Sequence, residues 1–241
     1  MRRAISLAPL LALAIACGTK TDTRDVRGTP EQHGAAIFKD KAASPSTLNT
    51  FSCATCHAVA ASDVGDRILP GGVLAGAPAR PAYWQGQEGD LLRAVNHCRY
   101  YFMGAPDPWT KDDEEAKAVY AYLVSLPGGT PSAVPFTVVA AVVDLPAGDA
   151  KAGEAVYARA CKTCHGSAHT GDGRSPARAP KLPEQTLAEH AQYSRTDQRL
   201  VFVEKVRHGG FLGYGGNMPP FSKEALSDAD LGALVAFLGL Y

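Results

Sequence analysis

The sequence predicts an all-α chain built as two similar helical units in tandem, joined by a Pro/Gly-rich linker. Three observations predict it. Apolar residues recur at helical spacing, as in Ala116, Val119, Tyr120 and Leu123, or Leu231, Leu234, Val235 and Leu238. One five-residue pattern, Cys-x-x-Cys-His, occurs twice: Cys53-Ala54-Thr55-Cys56-His57 and Cys161-Lys162-Thr163-Cys164-His165. The two copies are offset by 108 positions, and Tyr120-Ala121-Tyr122-Leu123 lies 115 positions before Val235-Ala236-Phe237-Leu238. At that second offset Met103 falls on Met218 and Asp113 on Asp228.

Composition agrees with a globular protein. The 241 residues are 46% apolar and 20% charged, with zero formal net charge. No basic stripe or dense Lys/Arg run is present, so nothing points to nucleic acid.

The chain opens with an export signal. Met1-Arg2-Arg3 is a short positive region, and residues 4–16 are an apolar run. That run is too short to span a membrane as a helix, which takes about 20 residues. Leu13-Ala14-Ile15-Ala16-Cys17 resembles the lipobox of bacterial lipoproteins, which implies cleavage before Cys17 and lipid attachment to it. The alternative is an ordinary secretory peptide. Either way the chain is exported, and the expected location is the periplasmic side of a bacterial membrane. Residues 17–30 are expected to form a tether.

The first unit is expected over 31–126, the linker over 127–148 and the second unit over 149–241. Within the first, a helix is predicted over 31–39, with Gly34 and Phe38 on one face. Residues 41–49 read as a loop, and 59–89 as a long Gly/Pro-rich wrap carrying Tyr83 and Trp84. Those rings are expected to wall a cofactor, with a hydrogen bond to a propionate, or else to fill a small core. Helices follow over 90–101, with Leu91, Leu92, Val95 and Cys98 on one stripe, and over 112–125, acidic at its start. The apolar centre of the linker, 136–143, predicts an extended segment packed on one or both units, with a short strand as an option. In the second unit helices are predicted over 151–160, over 200–208 with Gly209-Gly210 as a stop, and from Ser227 onward. Gly153 and Tyr157 echo Gly34 and Phe38.

Cys-x-x-Cys-His is the attachment motif of c-type haem. Two thiols bond the porphyrin's vinyl groups, and the adjoining imidazole reaches the iron. A zinc ribbon would place its two Cys pairs about 15–20 residues apart. A thioredoxin-like pair expects a βαβ setting that this chain lacks, and plain disulfides leave the two histidines unexplained. The sequence therefore predicts two covalently bound haems, held by Cys53, Cys56 and His57 and by Cys161, Cys164 and His165. With Cys17 lipid-modified, Cys98 is the one cysteine left over.

The order Gly-x-x-x-aromatic helix, Cys-x-x-Cys-His, Gly/Pro loops, Met and an aromatic-bearing last helix resembles the class I cytochrome c family. The resemblance covers nearly all of the second unit. It implies two tandem cytochrome c-like haem domains in which first and last helices cross: Gly34 and Phe38 would meet Tyr122, and Gly153 and Tyr157 would meet Phe237. The first unit matches less closely and has an insertion before its haem motif. Val95-Asn96-His97-Cys98, Pro108-Trp109 and Tyr120-Ala121-Tyr122-Leu123 are similar to the haem domains of Sox A-type cytochromes and bacterial thiosulfate dehydrogenase. That likeness implies an axial role for Cys98.

Each iron takes a second axial ligand. Met218, 53 residues after His165 in Gly216-Asn217-Met218-Pro219-Pro220, is the candidate for the second haem. Met103 and Cys98 compete for the first, with His97 as a further option. On one continuous helix Met103 and Cys98 would point about 140° apart. Arg80, Arg99, Lys181 and Arg207 are candidates to pair with propionates. The expected function is one-electron transfer between redox proteins by a dihaem carrier, since iron ligated on both faces leaves no position for substrate. The alternative is a thiosulfate-oxidising enzyme with a Cys-ligated first haem. That enzyme would want a basic residue where Ala94 stands, with Arg93 and Arg99 close by. A dihaem peroxidase would need a vacant iron position that nothing in the sequence demands.

Overall fold

Thr29 begins the first helix by closing a capping box. Its hydroxyl accepts from the Gln32 amide, and the Gln32 side chain accepts from the Thr29 amide. The computed structural model that shows this describes residues 28–43, 51–129, 131–138, 145–175, 179–209 and 217–240. The leader, Cys17, most of the tether and much of the loop before the first haem motif lie outside them.

Helix α1 (Pro30–Lys39) buries Gly34 and Phe38. The motif turn α2 (Cys53–Cys56) follows, then a wrap of short 3-10 turns, then α3 (Leu91–Tyr101), capped by the Asp90 carboxylate. Helix α4 (Glu114–Ser125) starts with Glu114 and Glu115 at its positive end and crosses α1. A Cβ on Gly34 would run into the backbone of Ala118, so only glycine permits this approach. Phe38 and Tyr122 pack beside the crossing with ring centroids 5.7 Å apart.

The second unit repeats the arrangement. Helix α5 (Ala150–Ala160) leads into the second motif turn, α6 (Lys162–His165), and then α7 (Glu184–Glu189) and α8 (Arg195–His208). The last helix, α9 (Asp228–Phe237), opens with a Ser227/Asp230 capping box and crosses α5. Gly153 lies against Ala233 as Gly34 lies against Ala118, and Tyr157 and Phe237 stand 5.6 Å apart. Both expected crossings are present. Val156, Tyr157, Phe202, Val203, Leu231 and Leu234 belong to one buried cluster, each large side chain contributing about 1.5–3 kcal/mol.

Three expectations are adjusted. Tyr120 is 55% exposed, and the buried face of α4 is instead Ala116, Ala118, Val119 and Leu123. The crossing with α1 takes Ala118 and Tyr122 inward and turns Tyr120 out. Helix α8 begins before residue 200 because Ser194 caps it through the Asp197 amide. Helix α7 was absent from the helices expected. Its six residues are too few for a periodic signal.

The linker packs on both units. Phe136 meets Trp84 edge-on at 5.9 Å, while the Lys223 amide donates to the Thr137 carbonyl at 3.0 Å. Leu145 packs on the second unit's cluster, and Gly148 lies against the backbone of Ala233. Among the described residues there is no strand, only an isolated bridge between Tyr83 and Glu88. The valines at 139–143 lie outside those residues. No described helix is long and apolar enough to cross a membrane.

Candidate haem centres

The first motif opens on a cavity of about 220 Å³. Cys53, Cys56 and His57 line it, and so do Cys98 and Met103. Its walls are apolar: Phe51, Leu74, Trp84 and Val95 are among them. Burial pushes the Cys53 thiol up to about 11, and it raises Cys56 further. No disulfide joins any of the described cysteines, so both sulfurs stay available as thiols.

His57 is built as a ligand. Its Nδ1–H donates to the Gly72 carbonyl at 2.7 Å, which fixes the tautomer and leaves the Nε2 lone pair free for a metal. Burial holds the imidazole's pKa below its ordinary value and keeps it neutral. Gly71 sits so close to the ring that a Cβ there would overlap it. In the second unit the His165 Nδ1–H donates to the Pro180 carbonyl at 3.0 Å, and burial lowers this imidazole's pKa too. In both units the acceptor stands 15 residues after the histidine. Sequence reasoning missed these acceptors, although the shared spacing and the nearby prolines were legible signals.

Helix α3 presents Leu91, Ala94, Val95 and Cys98 to the first cavity, Phe102 just beyond its end joins them, and Leu92 is not in the wall. Met103 lines the same cavity. The helix ends at Tyr101, and the amides of both Phe102 and Met103 fold back on the Cys98 carbonyl. His97 is exposed and stacks near Trp84 and Tyr101 outside the cavity wall. Burial raises the Cys98 thiol to about 12.

Met218 packs on the cluster that contains Cys161, whose thiol burial raises to about 12. Its loop is pinned from below. Arg207, 1% exposed, donates to the carbonyls of Phe221, Ser222 and Leu226 and pairs with Asp228 at 2.8 Å. Arg207 is therefore an anchor of the Met218 loop and not a propionate partner. The Tyr83 hydroxyl likewise donates to the Ala77 carbonyl. Arg99 lies over the Trp109 ring at 3.9 Å and donates to the Asp107 carbonyl. Arg80 differs. It lines the cavity, gives one nitrogen to the carbonyls of Val73 and Ala75, and leaves a buried Nε without a partner. Lys181 meets Gly171 through its stem.

A family described as Cytochrome c matches residues 32–127, and one described as Cytochrome C oxidase, cbb3-type, subunit III matches residues 148–238. The two units are cytochrome c domains in tandem. No curated protein matches the chain. Two cytochrome c domains carry two covalently bound c-type haems with their irons and serve electron transfer between redox partners. The residues present fit that group: oriented neutral imidazoles, free buried thiols, an apolar cavity and an unpaired guanidinium nitrogen on its wall.

Proposed function

We propose that this dihaem cytochrome is exported, held by lipid on Cys17 at the periplasmic face of a bacterial membrane, and relays single electrons between redox proteins. The observation that carries the relay is the matched pair of oriented histidines, each beside two free thiols. Bound haem supplies the one-electron couple. Cys53 and Cys56, and Cys161 and Cys164, form the thioethers, and His57 and His165 are the proximal ligands. Met218 is the distal ligand of the second haem, supported by the anchoring of its loop on Arg207. Met103 is the distal ligand of the first, supported by its place on the cavity wall and the shared 115-residue offset to Met218. Thioether ligation raises a haem's potential and suits reversible transfer. The oxidase-subunit name of the family matching 148–238 supports a partner at the membrane.

Absorption and magnetic spectra of single variants test the assignment. Met218→Ala and Met103→Ala each remove one thioether–iron signature, and Cys98→Ala removes neither. Cys17→Ser moves the protein from the membrane fraction to the soluble one.

A second reading has its own observation. Cys98 lines the first cavity, and the Asn96 side chain is doubly bonded to the Trp109 backbone, at 2.8 Å each way. These are the residues that resemble thiosulfate dehydrogenases. On that reading Cys98→Ala changes the first haem's spectrum, and anaerobic thiosulfate reduces the haems of the wild type. On the electron-carrier reading thiosulfate leaves them oxidised.

A further inference from the structure

We propose that the first haem site is completed by the second domain: the segment 217–220, which carries Met218, is a wall shared by both haems, and Asn217 is the residue that positions it. The proposal rests on the haem and Met218 assignments above and goes beyond them.

Pro219 and Pro220 line the first cavity together with Cys53, His57 and Met103, although they belong to the second domain. Their immediate neighbour Met218 packs on the second domain's own cluster. One short segment thus meets both the first domain's cavity and the second domain's core cluster. Asn217 fixes it across the domain boundary, its Nδ2 donating to the Tyr101 carbonyl at 2.6 Å. Tyr101 is the last residue of α3, where a helix leaves carbonyls without partners inside it. Asn217 supplies that missing donor two residues before Met103.

Two further attachments hold the domains in this register. The amide of Ile68 donates to the Arg159 carbonyl at 3.1 Å, Arg159 donates back to the Asp66 carbonyl, and the Ile68 side chain packs on the second domain's cluster. Arg159 stands two residues before Cys161. On another side the linker puts Phe136 into the first cavity's wall and Thr137 on Glu224 of the second domain.

Chemistry explains the choice of residues. Proline has no amide hydrogen and a rigid ring, so a Pro-Pro pair walls a cavity without adding a donor. A dry apolar shell disfavours the more highly charged oxidised iron and raises its potential. The first haem's potential is therefore set in part by residues of the second domain, and residues 217–220 join the first cavity's wall directly to the second domain's core cluster.

The test uses the full haem-loaded protein and two independent variants, Asn217→Ala and Pro220→Ala. Each is titrated spectroelectrochemically, with the thioether–iron signature of Met218 as an internal control. Admission of water predicts a lower midpoint potential for the first haem in both variants, with the second haem's signature retained. If both variants keep the first haem at its wild-type potential, the shared wall is refuted. If Asn217→Ala also loses the Met218 signature, Pro220→Ala decides by the same criterion. A wild type without the Met218 signature overturns the ligand assignment itself, and that is visible before any variant is made.

Discussion

Around their histidines the two domains are near copies, and on the distal side they part. Each crosses its first and last helices over a glycine, packs a tilted aromatic pair beside the crossing, and sends the histidine's Nδ1–H to a carbonyl 15 residues on. The second domain then ties down the chain after Met218 with Arg207, which gives its donors to three carbonyls and a carboxylate. In the first domain Arg99, only half-buried, gives the loop after Met103 one such bond, to the Asp107 carbonyl. That domain's cavity wall takes Phe136 from the linker and Pro219 and Pro220 from the other domain, and Arg80 keeps a buried nitrogen unmatched. Its buried residues run to Ala58, Ala75, Ala77, Ala94, Ala105, Ala116 and Ala118, whereas the second domain buries Leu226, Leu231, Leu234 and Leu238. The two domains thus agree around their histidines and differ in what walls the rest of the site, the first taking residues from the linker and the second domain.

The comparison is broken most severely at the crossings. Gly34→Val and Gly153→Val each force a side chain into backbone, and each is expected to cost about 3 kcal/mol or more in urea unfolding. If one domain tolerates the change, the two crossings are not equivalent. Next comes the anchor. Arg207→Met strands buried carbonyls and breaks a largely buried ion pair, an expected loss of about 3 kcal/mol together with a weaker Met218–iron signature. Arg80→Met, at a half-buried site with fewer bonds, is expected to cost about 1 kcal/mol. Equal losses for the two arginines would erase the distinction drawn here.

The smallest effect concerns the clasp between linker and second domain. Hydrogen bonds from the Thr137 hydroxyl and then its amide hold the Glu224 carboxyl down to about 2 from its ordinary 4.5. The folded value lies below the unfolded one, so the clasp's contribution is complete above pH 4.5 and is lost as pH falls toward 2. Glu224 is exposed, which keeps the effect small. Thermal unfolding of Thr137→Val should show a shallower fall across that window than the wild type. An identical fall would remove the clasp from the account.

Much of this was written locally. The haem motifs, the Gly34/Phe38 and Gly153/Tyr157 pairs and the Ser227 cap are patterns of five residues or fewer, where spacing alone dictates geometry. Helix α4 shows the limit: its period was legible, but which side of it met α1 was not, and Tyr120 came out exposed. Arg207 read as a candidate propionate partner because its acceptors lie 14 to 21 residues away, in a loop whose path no local rule supplies. That Met103 and Cys98 share one cavity wall was hidden for a similar reason: it depends on how the chain folds back on the Cys98 carbonyl after Tyr101.

By itself the sequence determined that there are two helical units carrying c-type haem motifs, and which short stretches are the candidates to hold the porphyrins. Those motifs are local spacings that need no tertiary information to be read. Only the tertiary structure decided which carbonyls orient the motif histidines, that Arg207 works as an anchor, and that Pro219 and Pro220 lie against the other domain's cavity. Those are contacts between segments far apart in the chain, chosen by how whole surfaces fit once the helices have crossed.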